Sequence, residues 1–503
     1  MIRTGRKSGV YEIDMCNGPL MGKIIRFAIP LALSSILQLL FNAADVIVVG
    51  RYAGDTSLAA VGSVGSLNAL IVNLFMGLSI GTNVLVARYY GSKDYDLLSQ
   101  AVHTSVATSL GLGVILIFVG NFLARPLLEL MGSPDNVIDL SALYVKIFFC
   151  GMPANMFYNF GSAILRAVGD TKRPLYFLTV AGVLNVLLNL LFVIVFKMDV
   201  AGVALATIIS QYVSAVLVFI CLLRTDGPYR VILRRLRIHM KTLWQLVRIG
   251  LPAGMQGLVF SISNVIIQSS INSFGSVAMA GSSAGANLEG FVYVAMNAFY
   301  QAALSFTSQN LGAAKYERLN KILATCIFLV CVVGGVFGVG VFLAGRPLVS
   351  IYSSKPSLDI ALGSMSDPAS ITAALATSAQ SIYAYASSAL VIDYGVQRLA
   401  FLCAPYLLCG IMDVMVGSLR GSGYSLVPMI VSIVGVCGVR IVWIFTIFQM
   451  PQFHTLPVLY LSYTVSWVIT AAIHFGCYVW LKKKKINPLA KAQAEAQAEA
   501  QPA

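Results

Sequence analysis

Twelve long apolar segments, separated by short polar ones, decide what this chain can become. They run over 24–49, 57–84, 100–124, 137–163, 174–197, 199–223, 243–272, 277–309, 322–345, 391–418, 427–450 and 456–481. At about 1.5 Å of rise per residue, each is long enough to cross a hydrocarbon core of about 30 Å. In lipid the backbone must satisfy its own hydrogen bonds, so a spanning segment is either a helix or a strand of a closed barrel. Barrel strands alternate apolar and polar residues, whereas these segments are continuously apolar. The expected fold is therefore an all-α membrane protein with twelve transmembrane helices. Only 11% of the residues are charged and the mean hydropathy is +0.82. A soluble domain carries about 25% charged residues, so lipid is the solvent for most of this chain.

The net charge of +14 does not point to nucleic acid. The charges lie in loops between apolar runs, with no basic stripe and no interleaved aromatics. Nine cysteines are scattered, mostly inside apolar runs, and no C-x-x-C pair occurs. That pattern excludes a disulfide framework or a recognisable zinc or redox motif. Residues 1–23 are polar and the first apolar run is too long for a signal-peptide core, so no cleaved leader is expected. Most Lys and Arg residues fall on one side of the membrane if the N-terminus is cytoplasmic. Among them are Arg224, Arg230, Arg234, Arg235, Arg237, Lys241 and Arg248, and the run Lys482, Lys483, Lys484 and Lys485. The positive-inside rule then puts both termini in the cytoplasm of a cell-membrane protein. Arg440 is the one basic residue this assignment leaves inside a helix.

An internal repeat organises the twelve segments. Arg26-Phe27-Ala28-Ile29-Pro30 matches Arg248-Ile249-Gly250-Leu251-Pro252 at an offset of 222, and Asn42 falls on Asn264. Ala60-Val61-Gly62 then matches Met279-Ala280-Gly281, and Asn68 matches Asn287. Arg125-Pro126-Leu127 matches Arg346-Pro347-Leu348 at an offset of 221. Val137-Ile138-Asp139 matches Val391-Ile392-Asp393 at 254, as do Leu165-Arg166, Gly169 and Pro174 with Leu419-Arg420, Gly423 and Pro428. Ordered matches that include Arg, Pro and Asn are not chance similarity between apolar runs. The expected domains are a six-helix lobe over 1–223, a basic linker over 224–242, a second six-helix lobe over 243–481, and a tail over 482–503. An even helix number makes the lobes parallel repeats, an arrangement that transporters use to hold substrate between halves. The step in offset from 221 to 254 leaves 33 extra residues in an outside loop near 353–390, with Asp367-Pro368 as a helix start. We read this excess as a loosely ordered or short helical insertion. The Ala-Gln-Ala-Glu repeats from Ala490 read as a disordered end.

Three acidic residues lie well inside the helices: Asp45, Glu289 and Asp413. Each costs about 2.5–3.5 kcal/mol at the bilayer centre, so each needs a partner or a task. Desolvation favours the neutral form of a carboxylate, and a group balanced between the two forms can couple an ion gradient to a conformation. Asp45, in the outer half of the first helix, is the strongest candidate. Glu289, beside Asn287, and Asp413, which aligns with Asn159 in the repeat, mark a candidate second-lobe cation or substrate site. The alternative for both acids is a structural ion pair in the bundle interior, with Arg440 as a conceivable partner.

The two-by-six pattern resembles the multidrug and toxic compound extrusion (MATE) transporters. The similarity is carried by Ile29-Pro30, Asp45-Val46-Ile47-Val48-Val49-Gly50, Leu58-Ala59-Ala60-Val61-Gly62, Leu165-Arg166-Ala167-Val168-Gly169-Asp170 and Val200-Ala201-Gly202-Val203-Ala204-Leu205-Ala206-Thr207. The resemblance implies a V-shaped, two-lobed fold that exchanges H⁺ or Na⁺ for drugs and other organic, often cationic, solutes, with no further cofactor. It also implies a cation- or proton-coupling pocket made of Asp45, Asn185, Asn189 and Thr207. Asn189 departs from the pattern, because many members carry a carboxylate there, so the pocket has one charge fewer. In some members acids on the seventh and tenth helices bind the cation. The segment 243–272 has no acid, and Glu289 is a candidate for the missing charge.

Other signals are weaker. Gly281-Ser282-Ser283-Ala284-Gly285 fits a nucleophile-elbow pattern but lies at the start of a membrane helix, where small residues serve packing. Gly417 and Gly421 read as a packing face. There is no phosphate-binding loop, and the four His residues are far apart. Met76, Tyr158, Met296, Phe299, Tyr300 and Met412 are candidates for an apolar cavity wall. Three functions follow. The first is an antiporter for small organic solutes, working as a monomer in the bilayer without a nucleic-acid partner. The second is a flippase for a lipid-linked precursor, which should show a cationic cavity and usually additional helices. The third is an intramembrane enzyme, for which no nucleophile–base or metal set appears. Buried acids with few buried bases favour the antiporter.

Overall fold

The computed structural model describes residues 11–130, 135–352 and 368–499, and every regular element among them is helical. The first lobe comprises α1 (Leu20–Tyr52), α2 (Gly54–Ser92), α3 (Tyr95–Leu130), α4 (Asp135–Cys150) with α5 (Met152–Ala167), α6 (Lys172–Leu190) and α7 (Asp199–Arg224). The second comprises α8 (Met240–Asn272), α9 (Ser276–Gly312), α10 (Tyr316–Leu343), the short α11 (Gly345–Ser350), α12 (Pro368–Leu402) with α13 (Leu407–Gly421), α14 (Leu426–Ser432) with α15 (Val439–Phe445), and α16 (Leu456–Leu481). A last helix, α17 (Asn487–Glu499), follows α16 through a π turn.

Among the described residues, eight helices are long and apolar enough to span a bilayer alone. Two more spans are bent pairs, α4 with α5 at 46° and α12 with α13 at 47°. The bends have a covalent cause in both lobes. Pro153 sits in the first turn of α5 and Pro405 just before α13, and a proline withholds the amide that a continuous helix requires. The remaining two spans, α2 and α9, have 39 and 37 residues but are diluted by Gly, Ser and Asn. They run through the interior, where close backbone approach and polar contacts replace lipid. Twelve spans in two lobes result, as the sequence pattern predicts.

The lobes do not have separate cores. The first half of α1 (Ile24, Phe27, Ala28 and Leu31) packs into the hydrophobic core of the second lobe, with Phe27 edge-on to Phe306 at 5.6 Å. Its last turns return to the first lobe, where Val48 and Val49 pack on Val193 and Val203. Helix α8 does the reverse. Leu246 and Ile249 lie in the first-lobe core, while Ile267 and Ile271 lie in the second. Each crossing helix carries an internal proline, Pro30 or Pro252, at matching repeat positions. Where α2 meets α8 the backbones touch. A Cβ on Gly77 would fall 2.1 Å from the Gly254 nitrogen, so only glycine fits. Gly281 likewise abuts the Val391 carbonyl on α12, and Gly417 abuts the Tyr300 carbonyl on α9, so both glycine motifs serve packing.

Residues 11–18 form a strap under one end of both lobes. On the first-lobe side, Tyr90 and Tyr229 donate to the Glu12 carboxylate at 3.0 and 2.9 Å. On the second-lobe side, Asn310 donates to the Met15 carbonyl at 3.0 Å, Lys315 to the Cys16 carbonyl at 3.1 Å and Arg318 to the Gly18 carbonyl at 2.9 Å. Met15 is fully buried between them. Among the described residues, the hydrogen bonds joining the two lobes all lie in this strap half, for example Tyr89 to Gln245 and Ser305 to Asn83.

Within the excess residues before Val391, a helix does start at Pro368, and 368–390 continue into α12 without a break; 353–367 lie outside the described residues. One expectation needs correction: the tail is helical to Glu499 rather than disordered. Alanine, glutamine and glutamate all propagate a helix well, and α17 extends one that is already nucleated.

Gly169 fixes the strap. Its φ of +94° suits glycine alone, and a Cβ there would fall 2.6 Å from the Ile13 carbonyl. Cys16 reports on this fit: its Sγ lies 3.7 Å from the Gln309 carbonyl, and burial, with Asp14 beside it, pushes the thiol up. Cys16 should react slowly with N-ethylmaleimide at neutral pH, and several-fold faster in Gly169→Ala, as read by peptide mass spectrometry. An equal rate in the variant would mean that Gly169 does not seat the strap.

Candidate functional site

Asn185 and Asn189 are one turn apart on α6 and so share a face. Opposite them α1 presents Asp45, and α7 presents Thr207. The Asn189 side-chain amide donates to the Asp45 carboxylate and lies 3.4 Å from Asn185 Oδ1. Asn185 Nδ2 in turn lies 3.4 Å from Thr207 Oγ1, which donates to the Val203 carbonyl at 2.9 Å. The structure thus brings all four first-lobe candidates into one chain of contacts. Asn189 is fully buried and Asn185 nearly so. Asn189 Oδ1 is buried without a hydrogen-bond partner, an uncommon state that leaves a free oxygen beside a carboxylate. Carboxylate, amide and hydroxyl oxygens are the donors that a hard cation takes, and the carboxylate alone can take a proton. Directly after Asn189, α6 widens into the π turn Leu191–Val195, a local distortion often found at functional sites. No feature of the sequence announces it. Asn42, one turn before Asp45, is exposed.

A cavity of about 820 Å³ lies between the lobes. The residues α8 gives it begin at Ala253 and end at Ile271, so it sits away from the strap, where the lobes are joined. Met76, Tyr158 and Met412 line it as expected; Met296, Phe299 and Tyr300 do not line it and are packed in the interior. The four first-lobe candidates are not on its wall either. Five charged side chains are: Arg166, Arg398 and Arg440, with Glu289 and Asp413.

Glu289 and Arg398 form a buried ion pair. Arg398 Nη2 and Nε donate to Glu289 Oε2 at 2.9 and 3.2 Å, and Nη1 donates to Ser282 Oγ at 3.0 Å. The guanidinium also sits 5.5 Å from the Tyr460 ring centroid. Several expectations change as a result. Glu289 cannot supply a missing charge elsewhere, because its own is matched by Arg398. Arg440 is neither the partner of Glu289 nor the one base inside a helix. Asn287 is exposed and off the cavity wall, since two residues on a helix are about 200° apart. Asp413 lines the cavity without an ion-pair partner among the described residues. The structure therefore brings Glu289 and Asp413 to one cavity and leaves Asn287 outside it. The signal for Arg398 was present in the sequence: a base well inside the apolar run 391–418 needs an acid at its depth, and Glu289 is the acid available.

Removing one member of a buried pair leaves the other charge uncompensated, at about 3–5 kcal/mol. Arg398→Met should therefore lower the thermal midpoint of the purified protein markedly, and adding Glu289→Met should recover most of the loss. A double variant as unstable as the single one would show that the pair's packing, not its charge balance, matters.

Comparison with known proteins bears on this geometry. A family model described as MatE matches residues 30–191 and 252–366, one segment in each lobe. The probable multidrug resistance protein YoeA of Bacillus subtilis is 28% identical over 472 residues, covering 92% of this chain and 94% of that protein. A protein named FAD transporter from Shewanella oneidensis is 23% identical over 350-odd residues, 68% of this chain and 77% of its own. Among solved structures, the outward-facing conformation of a multidrug resistance MATE family transporter superposes with a TM-score of 0.81 at 21% identity, over 96% of this chain and all of that one.

Proposed function

This chain belongs to the MatE family, a family of membrane transporters, and we propose that it exports organic solutes in exchange for H⁺ or Na⁺ by alternating access. The observation that carries the proposal is the contact between Asp45 and Asn189, made by a helix whose other half belongs to the opposite lobe. A cation held by the Asp45 carboxylate and the Asn189, Asn185 and Thr207 oxygens draws α1 onto α6 and α7. A proton on Asp45 removes the charge that strengthens the bond from Asn189 and turns one carboxyl oxygen into a donor, which weakens the same contact. Either event acts on α1, and through its first half on the second lobe. The cavity between the lobes is then the solute's passage.

The distribution of Lys and Arg supports placing the strap end, and both termini, in the cytoplasm of the cell membrane. The cavity then faces outside, with the strap closing the inner face. The lobes correspond to 1–223 and 243–481, joined by the basic linker 224–242, and one chain suffices for the cycle. The names of the relatives, a multidrug resistance protein and a FAD transporter, support organic solutes as cargo.

A second reading, a flippase for a lipid-linked precursor, takes support from Arg166, Arg398 and Arg440 on the cavity wall. The Asp45 cluster and the twelve spans, without additional helices among the described residues, favour the exchanger.

Everted vesicles holding this protein should take up an organic dye when an H⁺ or Na⁺ gradient is imposed, and Asp45→Asn should reduce that uptake to the level of vesicles without it. Full gradient-driven uptake in the variant would remove Asp45 from the mechanism. No response to either gradient with any organic solute would remove the exchanger.

A further inference from the structure

Arg440 is a charged group on the cavity wall that makes no ion pair among the described residues. It lies on α15, just past the π turn Ile433–Gly438, and is 5% exposed. Its Nε donates to Ser466 Oγ at 3.0 Å, and its guanidinium carbon stands 3.9 Å from the centroid of the Tyr463 ring and 5.9 Å from that of Trp467. These contacts fix its orientation, but they are neutral. Glu289, the nearby acid, is held by Arg398, and Asp413 makes no ion pair with Arg440. A guanidinium does not lose its proton inside a protein, so at this depth in a membrane its charge calls for an anion.

The surroundings say what kind of anion. Tyr293, Tyr406 and Trp467 continue along the cavity wall from Tyr463, with ring centroids 6.5 Å apart for Tyr293 and Tyr406 and 5.3 Å apart for Tyr406 and Trp467. Such a wall suits a planar apolar body. The guanidinium fork suits a carboxylate or phosphate. The repeat adds an independent observation: Arg440 falls opposite Val186, next to Asn185 of the Asp45 cluster. The second lobe thus carries a positive charge where the first has a neutral residue beside its polar cluster.

We propose that Arg440 and the Tyr293, Tyr406 and Trp467 wall form a subsite for an organic anion, with the acidic group on Arg440 and the planar body on the rings. The proposal rests on the reading of the cavity as a solute passage and names the class of solute. The carried molecule is an aromatic or otherwise flat acid rather than only an organic cation.

Two flat dyes of opposite charge, fluorescein and ethidium, test it by fluorescence polarisation on the purified full-length protein. Wild type should bind fluorescein. Arg440→Gln should weaken that binding about tenfold, the scale of one charge-assisted hydrogen bond, and leave ethidium unchanged. Arg440→Lys, which keeps the charge and loses the fork, should fall between and so controls for folding. Fluorescein affinity that is equal in wild type and Arg440→Gln would overturn the subsite, as would wild type that binds ethidium alone. Fluorescein uptake in proteoliposomes separates the two ideas. Arg440-dependent binding without gradient-driven uptake would support the subsite and count against the exchanger, whereas uptake that ignores Arg440→Gln would count against the subsite alone.

Discussion

Helices α1 and α8 each belong to two hydrophobic cores at once. The strap half of α1 is buried among second-lobe side chains around Phe306, and its far half is buried against α6 and α7. Helix α8 makes the mirror exchange. Neither lobe can therefore move as a rigid body without bending or sliding a helix that the other lobe holds. Pro30 lies within the stretch of α1 held by the second lobe and Pro252 just past the stretch of α8 held by the first, and a proline weakens the helix at its position without ending it. The glycine contacts of α2 with α8 keep the pivot tight, because two backbones in van der Waals contact leave no slack for side chains to absorb.

The polar groups are arranged around that pivot. Asp45 is on the far half of α1, so whatever occupies the cluster with Asn189, Asn185 and Thr207 bears on a helix anchored in the opposite lobe. The remaining intramembrane charges lie along the passage between the lobes. One pair, Glu289 with Arg398, is matched within the protein, whereas Arg166, Asp413 and Arg440 make no ion pair among the described residues. A site on the first lobe that suits a cation and a wall on the second that suits an anion share one mobile frame.

Much of this was legible in the sequence, for a physical reason. Lipid allows few folds, so continuous apolar runs translate directly into spans, and repeated Pro, Arg and Asn positions fix the two-lobe pattern. Asp45 stands out because an acid inside an apolar run is costly, whereas Asn185, Asn189 and Thr207 are legible only through the family resemblance. What escaped was set by packing. Arg398 and Glu289 meet across helices far apart in the chain, a pairing that spacing along one helix does not reveal. Asn287 seemed adjacent to Glu289 in sequence but faces the other way on the helix. The strap and the π turn after Asn189 leave no periodicity to detect. The helical tail escapes a reading by composition, because repeated small and polar residues look like a disordered end although alanine favours a helix.

The central claim is that the state of the Asp45 cluster sets the relative position of the lobes through α1. Lys197, in the short connection between α6 and α7, and Gln452, in the connection before α16, are exposed at the end away from the strap, one on each lobe. Spin labels introduced at these two positions through unnatural amino acids leave the native cysteines intact, and pulsed electron–electron resonance reads the distance between them. The distance distribution should shift when Na⁺ is added or the pH is lowered, and Asp45→Asn should abolish that shift. The same shift in Asp45→Asn would contradict the account.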